Sequence, residues 1–331
     1  IPLQPLQISV VIPTCNRRTR LLALLQNLND LSFQLHEIIV VDSGNELLSE
    51  EHYRKFKNLK IQYIQSEQSV CVQRNKGIQV AQSPWIFLCD DDIEIPADYL
   101  EILVAHIYEH PDAGAVAGIL LQQEEGKWVH SYPITSGRAL LSKFIFQQGI
   151  WGEIEYNGKA QIINRIKKYY QRKGNHISKA GWPVNTNFRG DYVLYPVYGL
   201  GVSLVRKEWL LLSPYDEILD KHGIGDNYGV IMGFPSPHVH VVNKTFAYHH
   251  REPTNRLKNS LQYYRRILAL DYFIRIKKTP GHVKRRWLLW SLIGNLPGFL
   301  FSWQLNMTRM TLKAVWIILS GRNPYYKAQK N

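Results

Sequence analysis

The first hundred residues alternate short apolar, β-branched runs with helix-patterned stretches, and that alternation leaves few folds open. Residues 8–12 (ISVVI), closed by Pro13, read as a buried strand. Residues 17–28 carry Leu21, Leu24, Leu25 and Leu28 at helical spacing. Residues 37–41 (EIIVV) form a second strand that ends at Asp42, and 46–56 are compatible with a helix. Residues 59–64 are a third strand, and 68–81 a helix with Val72, Ile78 and Val80 on its apolar side. Residues 85–89 (WIFLC) are a fourth strand that runs straight into Asp90, Asp91 and Asp92, with a helix beginning near Ala97. This βαβαβαβ order predicts an α/β fold with a parallel sheet and helices on both faces. Ligands of such sheets bind at the carboxyl ends of the strands. Three of those ends are polar here: Thr14 with Asn16, Asp42, and Asp90 to Asp92.

The triple aspartate is the sharpest local feature. Three adjacent carboxylates repel one another and destabilise the fold if buried unpaired. A divalent cation offsets that repulsion, and carboxylate oxygens suit Mg²⁺ or Mn²⁺ with a substrate phosphate in the same shell. The competing reading is a solvated acidic turn ahead of the next helix.

Charge divides the chain. Residues 1–250 hold 24 Lys+Arg against 25 Asp+Glu; residues 251–331 hold 16 against 2. The whole excess of +13 therefore lies in the last quarter, which is also rich in Trp (Trp287, Trp290, Trp303, Trp316). Such a segment suits an anionic surface, lipid headgroups ahead of nucleic acid, since no nucleic-acid module precedes it. Residues 287–308 contain no charge, but Asn295, Pro297, Gln304 and Asn306 argue against a simple span. From Gly298 the pattern predicts amphipathic helix, with Ser302, Asn306, Arg309 and Lys313 on one face and Phe299, Trp303, Met307, Met310, Ala314 and Ile317 on the other. A helical subdomain packed on the core is the alternative; the expectation is a membrane-interface tail, because +14 gains little by packing on a neutral body. Three cysteines, at 15, 71 and 89, are too few for a disulfide framework and fit a reducing compartment. The first six residues lack the basic and apolar regions of a signal peptide.

Five segments, in order, resemble the inverting GT-A glycosyltransferases of family 2: ISVVIPTCNR from Ile8, EIIVVDSGN from Glu37, QRNKGIQVAQSPWIFLCDDDIEIP from Gln73, GLGVSLVR from Gly199 and HGIGDNYGV from His222. The resemblance covers about residues 7–250 and is weakest across 122–190. It implies a GT-A catalytic domain over 1–255, with 122–190 as an elaborated acceptor-side segment, and a basic helical tail over 256–331. It further implies transfer from a nucleotide sugar, UDP-sugar foremost, to a glycan or lipid-linked acceptor at the cytoplasmic face of the cell membrane, in cell-surface polysaccharide synthesis.

Residue roles follow from that resemblance. Asp92 is the first choice for the metal, Mn²⁺ or Mg²⁺, with Asp90 also a candidate, and Asp90 or Asp91 for the ribose. Asp42 matches the carboxylate that contacts the nucleotide base, although Ser43 stands where a second Asp is common. Pro13, Thr14 and Asn16 belong to the nucleotide loop, and Arg74 to the nucleotide site. Asn75 is open to a purely structural role. Asp226 is the candidate general base, with Asp216 and Asp220 as backups. Asn227 replaces the second acid of the usual Glu-Asp pair. His249 or His250 completes the metal shell, and Arg251, with Arg256, is suited to clamp the diphosphate. The nine histidines other than 222, 249 and 250 show no ligand spacing. Aromatic residues between 122 and 190, such as Trp151 and Trp182, suit stacking on sugar rings or a small core of their own. Two rivals remain. One is an inactive nucleotide- or glycan-binding module; the other is a nucleotidyltransferase, which would need a Gly-rich loop where PTCNR stands.

Overall fold

The computed structural model describes residues 6–250, 257–277 and 279–326. Four strands open the chain: β1 (Ile8–Thr14), β2 (Glu37–Asp42), β3 (Ile61–Gln65) and β4 (Trp85–Cys89). They alternate with α1 (Arg18–Asn29), α2 (Glu50–Tyr53) and α3 (Val70–Val80). The strands pair in parallel in the order β3-β2-β1-β4, as the alternation predicts. Side chains alternate strictly between two cores. Val10, Ile12, Val40 and Phe87 pack with the leucines of α1 on one face, while Val11, Ile39, Val41 and Leu88 face the other. Both faces of β1, β2 and β4 are dry, so those strands read as apolar runs, while the edge strand β3 (IQYIQ) is partly exposed.

Two helical expectations shift. Only Glu50–Tyr53 of residues 46–56 is helical. In α3 the buried residues are Cys71, Gln73, Arg74, Asn75, Gly77 and Ile78, while Val80 is exposed. The polar members of that face are taken up by the site described below. Gly77 lets α3 lie close on the sheet: a Cβ there would sit 2.5 Å from the Val11 side chain.

Beyond β4 the sheet becomes mixed. β5 (Ile93–Glu94) and α4 (Tyr99–Glu109) lead to β6 (Ala115–Glu124) and β7 (Lys127–Val129). The segment α5 (Gly137–Ile145), β8 (Ile150–Trp151), α6 (Gln161–Lys173), β9 (His176–Ile177) and β10 (Pro183–Asn185) follows, with its own small core of Ile134, Leu140, Ile150, Ile163, Ile166 and Tyr170. β11 (Tyr192–Tyr195), β12 (Val202–Arg206), α7 (Lys207–Leu212), α8 (Asp226–Met232) and β13 (Val239–His249) complete the body. The main sheet runs β11-β13-β6-β12-β4-β1-β2-β3. β12 is antiparallel to both neighbours, β4 and β6, so the sheet is parallel only in part.

The last three helices are α9 (Asn259–Ile276), α10 (Arg285–Phe301) and α11 (Leu305–Ser320). They share the core. Ile267, Leu270 and Phe273 of α9, Leu288 and Leu292 of α10, and Ala314 and Ile318 of α11 pack in one cluster with Val11 and Val41. The core thus runs across the boundary expected at 255/256. Charge did not prevent this packing, because the helices' cations meet specific carboxylates: Arg265 pairs with Asp220, Lys277 with Asp216 at 3.3 Å, and Arg285 with Asp271 at 2.9 Å. The polar residues of α10 brace the 122–190 segment: Ser291 accepts from Trp182 Nε1 at 3.0 Å, and Asn295 Oδ1 from Gln148 at 2.8 Å.

Another face of these helices is apolar and exposed. Leu305, Leu312, Trp316 and Leu319 form a helical stripe on α11, and Phe301 and Trp303 at the α10–α11 turn are 87% and 84% exposed. This differs from the expected faces. Trp303 points outward, while Thr311, Ala314 and Ile318 face the core. No helix among the described residues is long and apolar enough to cross a membrane.

Candidate active site

The carboxyl ends of β1 and β4 set the site's floor. Asp91 is buried and fully engaged: its Oδ2 accepts from Thr14 Oγ1 at 2.7 Å and its Oδ1 from Arg17 at 2.8 Å. Burial pushes its carboxyl up to about 6, against the pull of Arg17. Asp90 leaves 34% of its side chain exposed and accepts from Arg74 Nη2 at 2.6 Å. Its backbone is held by Gly201, whose carbonyl accepts from the Asp90 N–H at 2.8 Å. A Cβ at Gly201 would lie 2.1 Å from the Asp90 carboxylate, so a larger residue there would displace that side chain.

Asp92 faces His249, with Oδ1 at 3.2 Å from Nε2, and Arg17 Nη1 lies 3.4 Å from its other oxygen. A break in β13 makes this meeting possible. The register against β6 shifts between Val242 and Phe246, and the strand's last residues then pair with β5, His249 opposite Ile93. The His250 N–H ties to the Asp92 carbonyl at 2.9 Å. Alternation therefore sends the two histidines to opposite sides. His250 turns to Glu94 at 2.7 Å and does not join the aspartates.

Arg74 is the hub. Fully buried on α3, it bridges Asp90 and Asp226. Asp226 opens α8, where Gly225 at φ +93° supplies the left-handed turn that starts the helix. Its Oδ1 accepts from the Asn227 N–H at 2.7 Å. Burial pushes the Asp226 carboxyl up to about 6, with Arg74 opposing. The backups are taken elsewhere. Asp216 and Asp220 are paired with α9 and its C-terminal flank, and Asp220 also accepts from Tyr325 at 3.2 Å.

A cleft of about 370 Å³ opens over these groups, lined by Pro13, Thr14, Arg17, Ser43, Arg74, Asp90 to Asp92, Asp226 and His249. A second cavity of about 510 Å³ adjoins it, lined by Trp151, Trp182, Tyr198, His130 and Tyr132. The two share Gly225, Asp226, Asn227 and Arg266.

Four predicted residues are placed elsewhere or lie beyond description. Asp42 spends one oxygen on the Gly44 N–H at 2.7 Å and the other on the Tyr63 hydroxyl, and does not line the cleft. Asn16, at φ +54°, braces the neighbouring loop through the Asn45 N–H at 2.8 Å. Arg251 and Arg256 fall outside the described residues. Asn75 is structural, holding the Tyr215 backbone on both sides. Sequence reasoning missed Arg17, Gln73 and Arg266. Gln73 ties β1 to β2 through the Thr14 and Val41 carbonyls, each at 2.7 Å. Arg266 was hidden because the tail was read by net charge rather than by helix face.

A carboxylate and an imidazole converging within 3.2 Å, with His249 Nδ1 buried and unpartnered, fit a divalent metal of Mn²⁺ or Mg²⁺ type. The family model for glycosyl transferase family 2 matches residues 9–175, half of the chain. The chain belongs to glycosyl transferase family 2. A curated relative named as a teichuronic acid biosynthesis glycosyltransferase, TuaG of Bacillus subtilis (strain 168), is 24% identical over 166 residues, 47% of this chain and 66% of its own length. Among solved structures, S. aureus TarS 1-349 in complex with UDP-GlcNAc superposes at TM-score 0.52 with 15% identity, over 94% of this chain and 82% of that one. The mannosyltransferase PcManGT of Pyrobaculum calidifontis, in complex with GDP-Man and Mn²⁺, gives 0.52 with 14% identity, over 98% and 89%. These likenesses establish the GT-A fold of this family 2 member.

Proposed function

We propose that this family 2 member is a metal-dependent, inverting glycosyltransferase that moves a sugar from a nucleotide-sugar donor to a glycan or lipid-linked acceptor in cell-surface polysaccharide synthesis. One observation carries the reading: Asp226 stands in the wall shared by an acid-lined cleft and an aromatic cavity. A donor in the first and an acceptor in the second bring the anomeric carbon and the acceptor hydroxyl together at that wall. The acceptor oxygen attacks the anomeric carbon, the bond to the diphosphate breaks, and the proton passes to an Asp226 oxygen. A carboxyl raised to about 6 is ionised at neutral pH yet basic enough to take that proton.

Arg74 holds Asp226 and Asp90 in register, and Arg17 keeps Asp91 and Asp92 from repelling each other. Asp92 and His249 would hold the cation, with Asp90 next to them; when bound, it neutralises charge on the leaving diphosphate. Of the two acids considered for the ribose, Asp90 is the more accessible. UDP-sugar is the foremost donor class, with GDP- and dTDP-sugars the alternatives; the structural neighbours' own complexes contain UDP-GlcNAc in one case and GDP-Man in another. Trp151, stacked on Tyr195 and Tyr198 at 5.6 and 5.9 Å, and Trp182 offer flat faces to an acceptor's sugar rings.

The exposed stripe of α11 with Phe301 and Trp303 suits an anionic membrane face, entered from the interface rather than crossed. Cytoplasmic-side attachment, peripheral or monotopic, follows from that reading. A panel of UDP-, GDP- and dTDP-sugars, each with Mn²⁺, Mg²⁺ or EDTA, tests the catalytic part. One donor should release nucleotide in a metal-dependent way, and Asp92→Ala should abolish that release. Release that persists unchanged in EDTA or in Asp92→Ala would refute the assignment.

A further inference from the structure

The opposite end of the sheet gathers histidines that lie far apart in the sequence. His106 and His110 sit one turn apart at the end of α4, and His240 lies near the start of β13. None of them lines either cavity. At about 1.5 Å per residue, α4 carries its last turn roughly 16 Å from the aspartate end of the fold.

The geometry is that of a ligand set. One donor atom each from His106, Glu109 and His110 lie within 4.8 Å of one another. His106 Nε2 and His240 Nδ1 are 3.1 Å apart. Two nitrogens about 2.0–2.1 Å from a tetrahedral Zn²⁺ stand roughly 3.3 Å apart, with ring centres about 5 Å apart. The observed centroid separations are 4.4 Å for His106–His110, 5.3 Å for His106–His240 and 6.1 Å for His110–His240. Tyr192 stacks on His240 at 5.2 Å and fixes that ring's plane.

We propose that His106, Glu109 and His110 form a second metal site of Zn²⁺ type, separate from the donor cleft, with His240 hydrogen-bonded to His106 as its supporting partner. Imidazole-rich sets with one carboxylate favour Zn²⁺ over Mg²⁺. The ion would hold the last turn of α4 together, and His240 on β13 would brace the His106 ring against it. Bound metal should therefore stabilise the fold without any nucleotide sugar present.

The test uses the full chain carrying Asp92→Ala, stripped with chelator and titrated with Zn²⁺ by calorimetry and with Co²⁺ by visible absorption. The expected result is one equivalent bound, strong visible bands of tetrahedral Co²⁺, and a raised Tm. Adding His110→Ala should weaken Zn²⁺ binding by at least about tenfold, in the range expected for loss of a supporting ligand group, and remove the Co²⁺ bands. Glu109→Gln, an exposed change, serves as the second variant, with circular dichroism to confirm folding. No stoichiometric Zn²⁺ in the Asp92→Ala protein would overturn the proposal, leaving a stacked imidazole cluster. Binding unchanged by both ligand substitutions would overturn it equally.

Discussion

The strand ends of β1 and β4 and the helices α9 to α11 both face the problem of buried acids, and they solve it differently. At the strand ends, Arg17 and Arg74 pair with the aspartates and leave Asp90 and Asp92 turned toward the cleft. In the helical region, Arg265, Lys277 and Arg285 consume Asp220, Asp216 and Asp271 outright. The first arrangement keeps carboxylates in a position to act. The second spends them on holding the fold together. An acid's role in this chain is thus decided by which cation reaches it, not by its position after a Pro or a Gly.

That contrast can be broken experimentally. Asp271 has no exposed surface and is held by Arg285, Asn323 and Tyr326. Arg285→Ala should destabilise the fold by about 3 kcal/mol, because a buried charge loses its partner. Denaturant midpoints measure it; a change under about 0.5 kcal/mol would mean that the helices are merely appended. The outer stripe should behave in the opposite way. Replacing Phe301 and Trp303 together with Ser should leave stability within about 0.5 kcal/mol. Binding to anionic vesicles should fall by about tenfold or more per residue, since each loses roughly 1.5–3 kcal/mol of apolar burial. Sedimentation with vesicles distinguishes this from an inert surface. The smallest effect is in pH. Asp226 must be ionised to accept a proton, so kcat/KM should rise about tenfold per unit below about pH 6 and level above it. A profile flat from pH 5 to 8 would remove Asp226 from the chemistry.

The parallel half of the sheet was legible because β1, β2 and β4 are apolar runs with polar residues at their carboxyl ends. Asp90, Asp92, Arg74 and Asp226, up to 152 residues apart in sequence, come together at one cleft. What escaped was long-range. Asp42 looks like a ligand in sequence, but its hydrogen bonds to Gly44 and Tyr63 appear only in the fold. The choice between His249 and His250 needed the break in β13. His106 and His110 stand four residues apart at the end of α4, a spacing visible in the sequence but passed over; only the contact of His240 depends on α4 packing against β13. The tail misled because net charge says nothing about which face a charge occupies: Arg266 reaches the cleft, while Trp316 faces solvent.

The central claim is that Asp226 accepts the acceptor's proton at the wall between two cavities. Its most direct test is Asp226→Asn, which nearly preserves shape. Donor affinity, measured by calorimetry with Mn²⁺, and turnover, measured as nucleotide release, should part company. The account predicts donor binding within about threefold of wild type and turnover lower by about 10²–10⁴-fold. Turnover within a few-fold of wild type would contradict it, and the base would have to be sought elsewhere in the cleft.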